Sequence, residues 1–178
     1  MSASKTLYAF AGAVLVQVLI LAAVPGQKMY TLLTGRTVVL RTAPVDPYSV
    51  MSGYYVTLSY EISRFDRVPG STAFSGLEED GTPMYVVLRQ GDDGFWQAES
   101  VHPDRPDVAA DRVVIKGRKS YGSIVYGIET YYIPEAARAT IEDDLRRHAR
   151  DARIEVKVDR FGRAALVRLL IGDRAYDY

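Results

Sequence analysis

Residues 6–24 read TLYAFAGAVLVQVLILAAV and contain no charged side chain. At about 1.5 Å rise per residue, a helix of this length spans roughly 28 Å, close to the hydrocarbon thickness of about 30 Å of a bilayer. Backbone groups in lipid must be satisfied within their own segment, so this stretch is helical if it lies in a membrane. We therefore predict an amino-terminal tail and transmembrane anchor at residues 1–26, ended by Pro25 and Gly26, since both residue types stop helices.

Two other interpretations of this stretch remain open. A cleaved signal peptide needs small residues one and three positions before the cut, and residues 21–25 (LAAVP) offer no clean pair. A buried helix of a soluble protein normally has one apolar stripe, whereas residues 7–24 are apolar on every side. The uncleaved anchor fits the pattern best, and no cysteine is present to carry a lipid anchor in its place.

The charges on either side of the stretch leave its orientation open. Lys5 precedes it, whereas Lys28, Arg36 and Arg41 come after it, so the positive-inside rule taken literally favours a cytoplasmic domain. A short tail before an apolar run is also typical of a signal anchor that exports the domain downstream of it. We expect a single-pass protein of the cell membrane, with residues 27–178 forming an extracytoplasmic β-rich domain.

The composition excludes several classes of protein. The chain has 178 residues, of which 48% are hydrophobic and 25% charged, as in globular proteins, so disorder and collagen are excluded. Its 22 basic and 22 acidic residues balance. Nucleic acid is therefore not an expected partner, because phosphate binding needs a basic excess.

After residue 27 the apolar residues recur with period two, which predicts β strands. The alternation is clearest at residues 54–62, where Leu58, Tyr60 and Ile62 share the predicted core face. Hairpin turns are predicted at the sequences GDDG (residues 91–94) and RFG (residues 160–162). The predicted strands are residues 37–41, 54–62, 84–90, 95–97, 112–116, 126–133, 154–158 and 164–171.

One helix interrupts these strands. It is predicted from Pro134 to about residue 150, with an apolar stripe of Ala137, Ile141 and Leu145. The tail at residues 173–178 has no evident partner. The predicted fold class is therefore α+β and mainly β, with a transmembrane helix followed by a compact eight-stranded β sandwich or barrel and one amphipathic helix.

The two halves of the β region resemble each other. The sequence VVLR at residues 38–41 is echoed by VVIK at residues 113–116, and SVMSG ending at Gly53 is echoed by SIVYG ending at Gly127. These echoes predict two pseudo-repeated four-stranded units, at about 36–100 and 111–172. Chance similarity between two β-rich halves is the alternative explanation.

The segment GYYVTLSY at residues 53–60 resembles the name-giving motif of the GDYXXLXY family of membrane-anchored proteins. The motif is matched at four positions, Gly53, Tyr55, Leu58 and Tyr60. Tyr54 stands where the motif has aspartate, so carboxylate chemistry at this position is excluded. A structural interpretation of the motif is therefore favoured, with glycine turning the chain into a strand and the leucine and second tyrosine filling a core.

The second half of the chain also looks like this family, through Gly127 and Glu129 in the sequence YGIE. An acid among tyrosines either accepts hydrogen bonds from phenols or points to water. The resemblance covers nearly the whole chain and implies a bacterial, often cyanobacterial, membrane protein whose biochemical activity is not established. It also implies a multi-span membrane protein as a partner.

Signatures of chemistry are sparse. The two histidines lack a second ligand at metal spacing, and no phosphate-binding glycine loop is present, so we predict no metal and no cofactor. The enzymatic alternative is a membrane-anchored serine hydrolase distantly like signal peptidase. Its nucleophile would be Ser49, and its base Lys116 or Lys119, which needs burial to act as a base.

The chain contains 13 tyrosines. Tyrosine supplies a large contact area and is favoured at interfaces, so Tyr48, Tyr85 and Tyr131 are a candidate interaction face. A tyrosine-rich β core explains the same residues without any partner. The leading hypothesis is a module, anchored in the lipid bilayer, that docks an integral membrane partner or senses an external signal.

Overall fold

The computed structural model describes residues 3–43, 51–52, 55–64, 68–69, 79–148 and 151–177. A long amino-terminal helix, α1 (Ala3–Thr34), precedes the strands, and a second helix, α2 (Arg138–His148), interrupts them. The strands are β1 (Arg36–Arg41), β2 (Met51–Ser52), β3 (Tyr55–Thr57), β4 (Pro83–Gln90), β5 (Trp96–His102), β6 (Arg112–Ser120), β7 (Ser123–Val125), β8 (Thr130–Tyr132), β9 (Ala152–Val158), β10 (Ala164–Ile171) and β11 (Arg174–Tyr176).

Two four-stranded antiparallel sheets dominate the domain. The first sheet has the strand order β1-β9-β10-β11 and the second has the order β5-β4-β6-β7. Strands β2, β3 and β8 form a smaller antiparallel sheet. The predicted fold class is confirmed, with a long apolar helix followed by eight strands in two sheets and a short amphipathic helix.

The core of the domain lies on the inner faces of these sheets. Strand β9 alternates strictly, with every second side chain buried from Ala152 to Val158, and Val38 and Leu40 of β1 are fully buried beside it. The second sheet and Ile141 of α2 contribute to the same hydrophobic cluster. Period-two burial therefore has the physical origin that the sequence indicates, since alternate side chains of a strand point to opposite faces.

The predicted end of the first helix is wrong. Pro25 lies inside α1, which continues to Thr34. Proline removes one N–H from the helical ladder, and long membrane-type helices tolerate that loss. The helix ends instead at Gly35, whose N–H bonds to the carbonyl of Thr31 at 2.9 Å. A Cβ at Gly35 would lie 2.5 Å from that carbonyl oxygen, so glycine is needed where the helix meets the domain.

Two of the predicted strands are interrupted. Residues 126–133 do not form one strand, because Gly127 adopts a φ of 80° and separates β7 from β8. Residues 54–62 contain only β3, followed by an isolated bridge from Tyr60 to Thr42 and a 3-10 turn at Glu61–Ser63. The predicted core face is nevertheless confirmed at Leu58, Tyr60 and Ile62, which are all buried.

The carboxyl-terminal tail has a partner, contrary to the prediction. Residues 174–176 form β11, which pairs with the end of β10. Tyr176 is buried and donates its hydroxyl to Asp144 of α2, which also accepts a 3.0 Å hydrogen bond from Arg174. These two donors, the hydroxyl first, hold the pKa of Asp144 below its usual range. These two hydrogen bonds hold α2 against β11, at the edge of the first sheet.

The β4–β5 and β9–β10 hairpins have the same turn. The N–H of Gly91 bonds to the carbonyl of Phe95, and the N–H of Asp159 bonds to the carbonyl of Arg163 in the same way. Gly94 and Gly162 occupy equivalent positions in the two turns, with φ values of 80° and 81°. Both predicted hairpins are therefore present and share one backbone conformation.

Each hairpin pairs with the first strand of the other half of the chain. Val38 of β1 lies opposite Val156 of β9, and Val113 of β6 lies opposite Leu88 of β4, in matching registers. Each hairpin also carries a bulge at the same place in its second strand, where Glu99 of β5 and Val167 of β10 have no partner in the register. These matches support the proposal that 36–100 and 111–172 are repeated units, with first strands exchanged between them.

The internal alignment differs from the one that the sequence echoes suggest. Gly53, the sequence counterpart of Gly127, lies outside the described residues. Under the proposed repeat, Tyr60 and Tyr126 are equivalent instead, because Tyr60 bridges Thr42, the residue after β1, and the ring of Tyr126 lies over Gly117 of β6. The motif segment LSY ending at Tyr60 thus corresponds to the segment IVY ending at Tyr126.

The turn glycines Gly94 and Gly162 provide a matched test of how closely the β9–β10 turn packs against β6. A Cβ added at Gly94 meets no atom within 4 Å. Gly94→Ala should therefore lower the free energy of unfolding only through the strain of a left-handed backbone, by about 1–2 kcal/mol. Alanine at Gly162 would place its Cβ 3.1 Å from the Val114 carbonyl oxygen, and we expect a total loss of roughly 2–5 kcal/mol. Urea unfolding of the detergent-solubilised chain, followed by the fluorescence of Trp96, measures both losses. Equal losses would contradict the close packing of this turn against β6.

Candidate functional site

The motif tyrosine and its counterpart in the second half are linked by reciprocal hydrogen bonds. The hydroxyl of Tyr60 donates to the carbonyl of Ile128, and the hydroxyl of Tyr126 donates to the carbonyl of Ile62 at 2.7 Å. Both rings are buried, and Leu58 of the motif is buried beside them. The two phenols therefore satisfy backbone carbonyls that have left the strand ladder, which stabilises the irregular segments after each tyrosine.

Glu129 lies next to this tyrosine pair and binds backbone. Its carboxylate accepts hydrogen bonds from the N–H groups of Tyr126 and Gly127, the second at 2.8 Å. Its partners are main-chain amides and not phenols, and the residue is half-buried. Burial first, and then this carboxylate, raises the pKa of Tyr60 and of Tyr126 well above the usual value. Both phenols therefore remain protonated donors.

The remaining motif residues occupy different environments. Tyr55 is half-buried, and its ring packs edge-on against that of Tyr132, with 6.2 Å between centroids. Tyr132 is 70% exposed. Gly127 turns the chain between β7 and β8 with its positive φ. The predicted structural role of the motif stays a prediction as a whole, because Gly53 lies outside the described residues.

The structure separates the tyrosines of the predicted interaction face. Tyr131 on β8 is buried and donates its hydroxyl to the carbonyl of Tyr176 at 2.6 Å, so its ring is not available at the surface. Tyr85 on β4 is half-buried, with the ammonium of Lys116 5.7 Å from its ring centroid. Tyr48 lies outside the described residues. The two tyrosines that are described thus belong to different sheets and share no exposed surface.

The carboxyl-terminal end of α1 is attached to the domain by a buried carboxylate. Asp159, 4% exposed, accepts a 2.8 Å hydrogen bond from the hydroxyl of Thr31. It also accepts hydrogen bonds from the N–H groups of Phe161 and Arg163, at 2.8 and 3.0 Å. Tyr30 packs against the Phe161 ring at 6.2 Å. The side chain of Asp159 therefore orders the β9–β10 turn and also holds the end of α1.

A cleft of about 780 Å³ opens beside this attachment, and we call it the basic cleft. It lies between the end of α1, the strand β6 and the start of β10. Its lining includes five basic residues and, among the described residues, no aspartate or glutamate: Lys28, Lys116, Arg118, Lys119 and Arg163. Sequence patterns did not reveal it, because its residues come from distant segments in a chain of balanced charge.

The described residues hold no group of three or more histidine, cysteine or acidic side chains that could bind a metal ion. The serine hydrolase alternative stays a prediction, because Ser49 lies outside the described residues. Of its two candidate bases, Lys116 is exposed at the edge of the basic cleft. That position lacks the burial which would make a lysine an effective base.

Within the described chain, α1 is the one helix long and apolar enough to cross a membrane, over Leu7–Thr34, with a mean hydropathy of 2.4 and none of its apolar window buried. A signal sequence near an amino terminus satisfies the same criteria of length and apolar composition. The fold is thus that of a β domain carried on a long apolar helix. The model of the GDYXXLXY family, described as GDYXXLXY protein, matches residues 17–169, and the chain belongs to this family. No curated protein and no solved structure matches the chain.

Removing the reciprocal hydroxyls tests the tyrosine pair. Each of Tyr60→Phe and Tyr126→Phe leaves a buried carbonyl without its donor, and we expect a loss of about 1–3 kcal/mol in the free energy of unfolding for each. Tyr132→Phe removes a hydroxyl from an exposed ring and should change stability by less than about 0.5 kcal/mol. Urea unfolding measures all three variants. Tyr60→Phe and Tyr132→Phe losing the same stability would contradict the buried bond.

The attachment of α1 is tested by a matched pair of threonines. Thr31→Val removes the hydrogen bond to buried Asp159, and we expect the free energy of unfolding to fall by about 1.5–3 kcal/mol. Thr34→Val removes only an exposed bond to the carbonyl of Tyr30 and serves as the control. Hydrogen exchange of amides 159–163 is the measurement. Faster exchange in Thr31→Val alone is expected, and unchanged exchange would show that the bond does not hold the turn.

Proposed function

We propose that this protein is a membrane-anchored docking or sensing module for an integral membrane partner. Helix α1 crosses the bilayer, and the domain lies at the extracytoplasmic surface. The observation that carries this proposal is the large exposed apolar surface of α1. Side chains such as Leu15, Leu19 and Leu21 are each at least 60% exposed. Such a surface is unfavourable in water and requires lipid or another helix.

The rigid junction between helix and domain supports docking in addition to tethering. A flexible linker would leave the domain free to move away from the bilayer. Here α1 passes without a linker into β1, and the Thr31–Asp159 bond and the Tyr30–Phe161 contact fix its end. A domain held in this way has a defined orientation beside the bilayer, which suits recognition of a neighbouring membrane protein.

Two arginines in the apolar stretch test the anchor. Val14→Arg with Val18→Arg should release the chain from membranes washed with alkaline carbonate, since each charge at a bilayer centre costs about 2.5–3.5 kcal/mol. Tyr121→Arg, at a position 93% exposed, should remain in the pellet as the parent does. The intact mass of the pelleted parent distinguishes an anchor from a cleaved signal sequence. A parent chain found in the supernatant would refute anchoring.

A crosslinking variant, compared with the double arginine variant, tests docking. A photo-crosslinking residue at Leu19 of the parent is expected to give a defined adduct with an integral membrane protein in native membranes, and the double arginine variant is expected to lose that adduct. Membranes that give no protein adduct, together with affinity purification that recovers no integral protein, would refute docking while leaving the anchor intact. A reporter fused after Tyr178 reports which side of the membrane the domain occupies.

A further inference from the structure

We propose that the basic cleft binds the headgroup of an anionic phospholipid of the bilayer in which α1 is anchored. The inference rests on the anchoring proposed above and adds a ligand site to it. Three features of the cleft carry it: the sign of its charge, the lack of a salt bridge from four of its cations to any described residue, and its position along α1.

The charge of the cleft has one sign. Five of its lining residues are basic, although the whole chain has a formal net charge of zero. Three of them lie close together on β6, and folding adds one from α1 and one from the β9–β10 turn. Clustered cations repel one another unless an anion joins them, and a concave site strengthens the field that an anion meets.

Four of these five cations have no counter-ion among the described residues. Lys28, Lys116, Arg118 and Arg163 form no salt bridge with any described residue. The ammonium of Lys116 lies 5.7 Å from the ring centroid of Tyr85, and the guanidinium of Arg163 lies 5.1 Å from that of Phe161. An aromatic ring carries no net charge, so both positive charges can still be neutralised by an anion.

The carboxylates beside the cleft are already engaged. Glu129 is held by the N–H groups of Tyr126 and Gly127, which themselves line the cleft. Asp159 is buried against Thr31 and its own turn. Neither acid forms a salt bridge with Lys28, Lys116, Arg118 or Arg163, so neither neutralises these four cations.

The position along α1 identifies the source of the anion. Val24 is the last residue of the apolar stretch and also the first lining residue of the cleft. Thr31, the last lining residue on the helix, lies about 10 Å further along the axis. That interval begins at the edge of the hydrocarbon core and extends across the whole headgroup layer, which occupies roughly 5–8 Å on each side. Basic pockets beside membrane-spanning helices bind anionic headgroups.

Binding of lipids to the full-length chain in detergent micelles, measured by native mass spectrometry, tests the assignment. Phosphatidylglycerol should bind more tightly than phosphatidylcholine, which carries the same phosphate with a compensating ammonium group. Arg118→Gln and Arg163→Gln should each weaken phosphatidylglycerol binding about fivefold. Arg105→Gln removes an exposed arginine outside the cleft and should leave binding unchanged.

Several outcomes would overturn the proposal. These are equal binding of the two lipids, cleft variants that bind phosphatidylglycerol as the parent does, and a control variant that weakens binding as much as they do. Inorganic phosphate or an acidic peptide that binds the cleft more tightly than phosphatidylglycerol would assign the site to a soluble anion or to a protein segment. Flotation of the parent with pure phosphatidylcholine vesicles reports the anchor separately, so a failed anchor and a failed headgroup site are distinguishable.

Discussion

The carboxylate of Asp159 is the constraint on which the arrangement of helix and sheets depends. It is buried and accepts hydrogen bonds from the hydroxyl of Thr31 and from two amides of its own turn. The turn that it orders places the carbonyl of Gly162 2.7 Å from the N–H of Lys116, at the open edge of β6. One side chain thus joins the apolar helix, the first sheet and the second sheet, because a buried carboxylate is stable only when donors surround it.

Strand pairing between the two halves of the chain explains why the domain has a single core. Strand β1 completes the sheet of the second hairpin, and β6 completes that of the first. Neither half can then bury its apolar faces alone, since the missing strand is supplied by the other half. The reciprocal bonds of Tyr60 and Tyr126 add a second crossing between the halves, where the backbone is irregular and main-chain partners are lacking.

The family motif and the basic cleft illustrate two different relations between sequence and site. The motif is visible in the sequence, and its described residues Leu58 and Tyr60 lie in the core. The cleft is invisible in the sequence, because its cations lie on three separate segments and the net charge is zero. A composition argument that excludes nucleic acid for the whole chain does not exclude an anion at one local surface, since folding determines where the charges meet.

Local sequence determined the elements whose causes are local. The apolar run dictates α1, period-two burial dictates β9, and the glycine turns dictate both hairpins, because each depends on neighbouring residues alone. Tertiary structure alone decided the rest. Helix α1 continues beyond Pro25 because Tyr30 and Thr31 have partners on the β9–β10 turn. The tail becomes β11 because it pairs with the edge of β10 and because Asp144 accepts a hydrogen bond from Tyr176. Contacts between distant segments carry no signal in any short window of sequence.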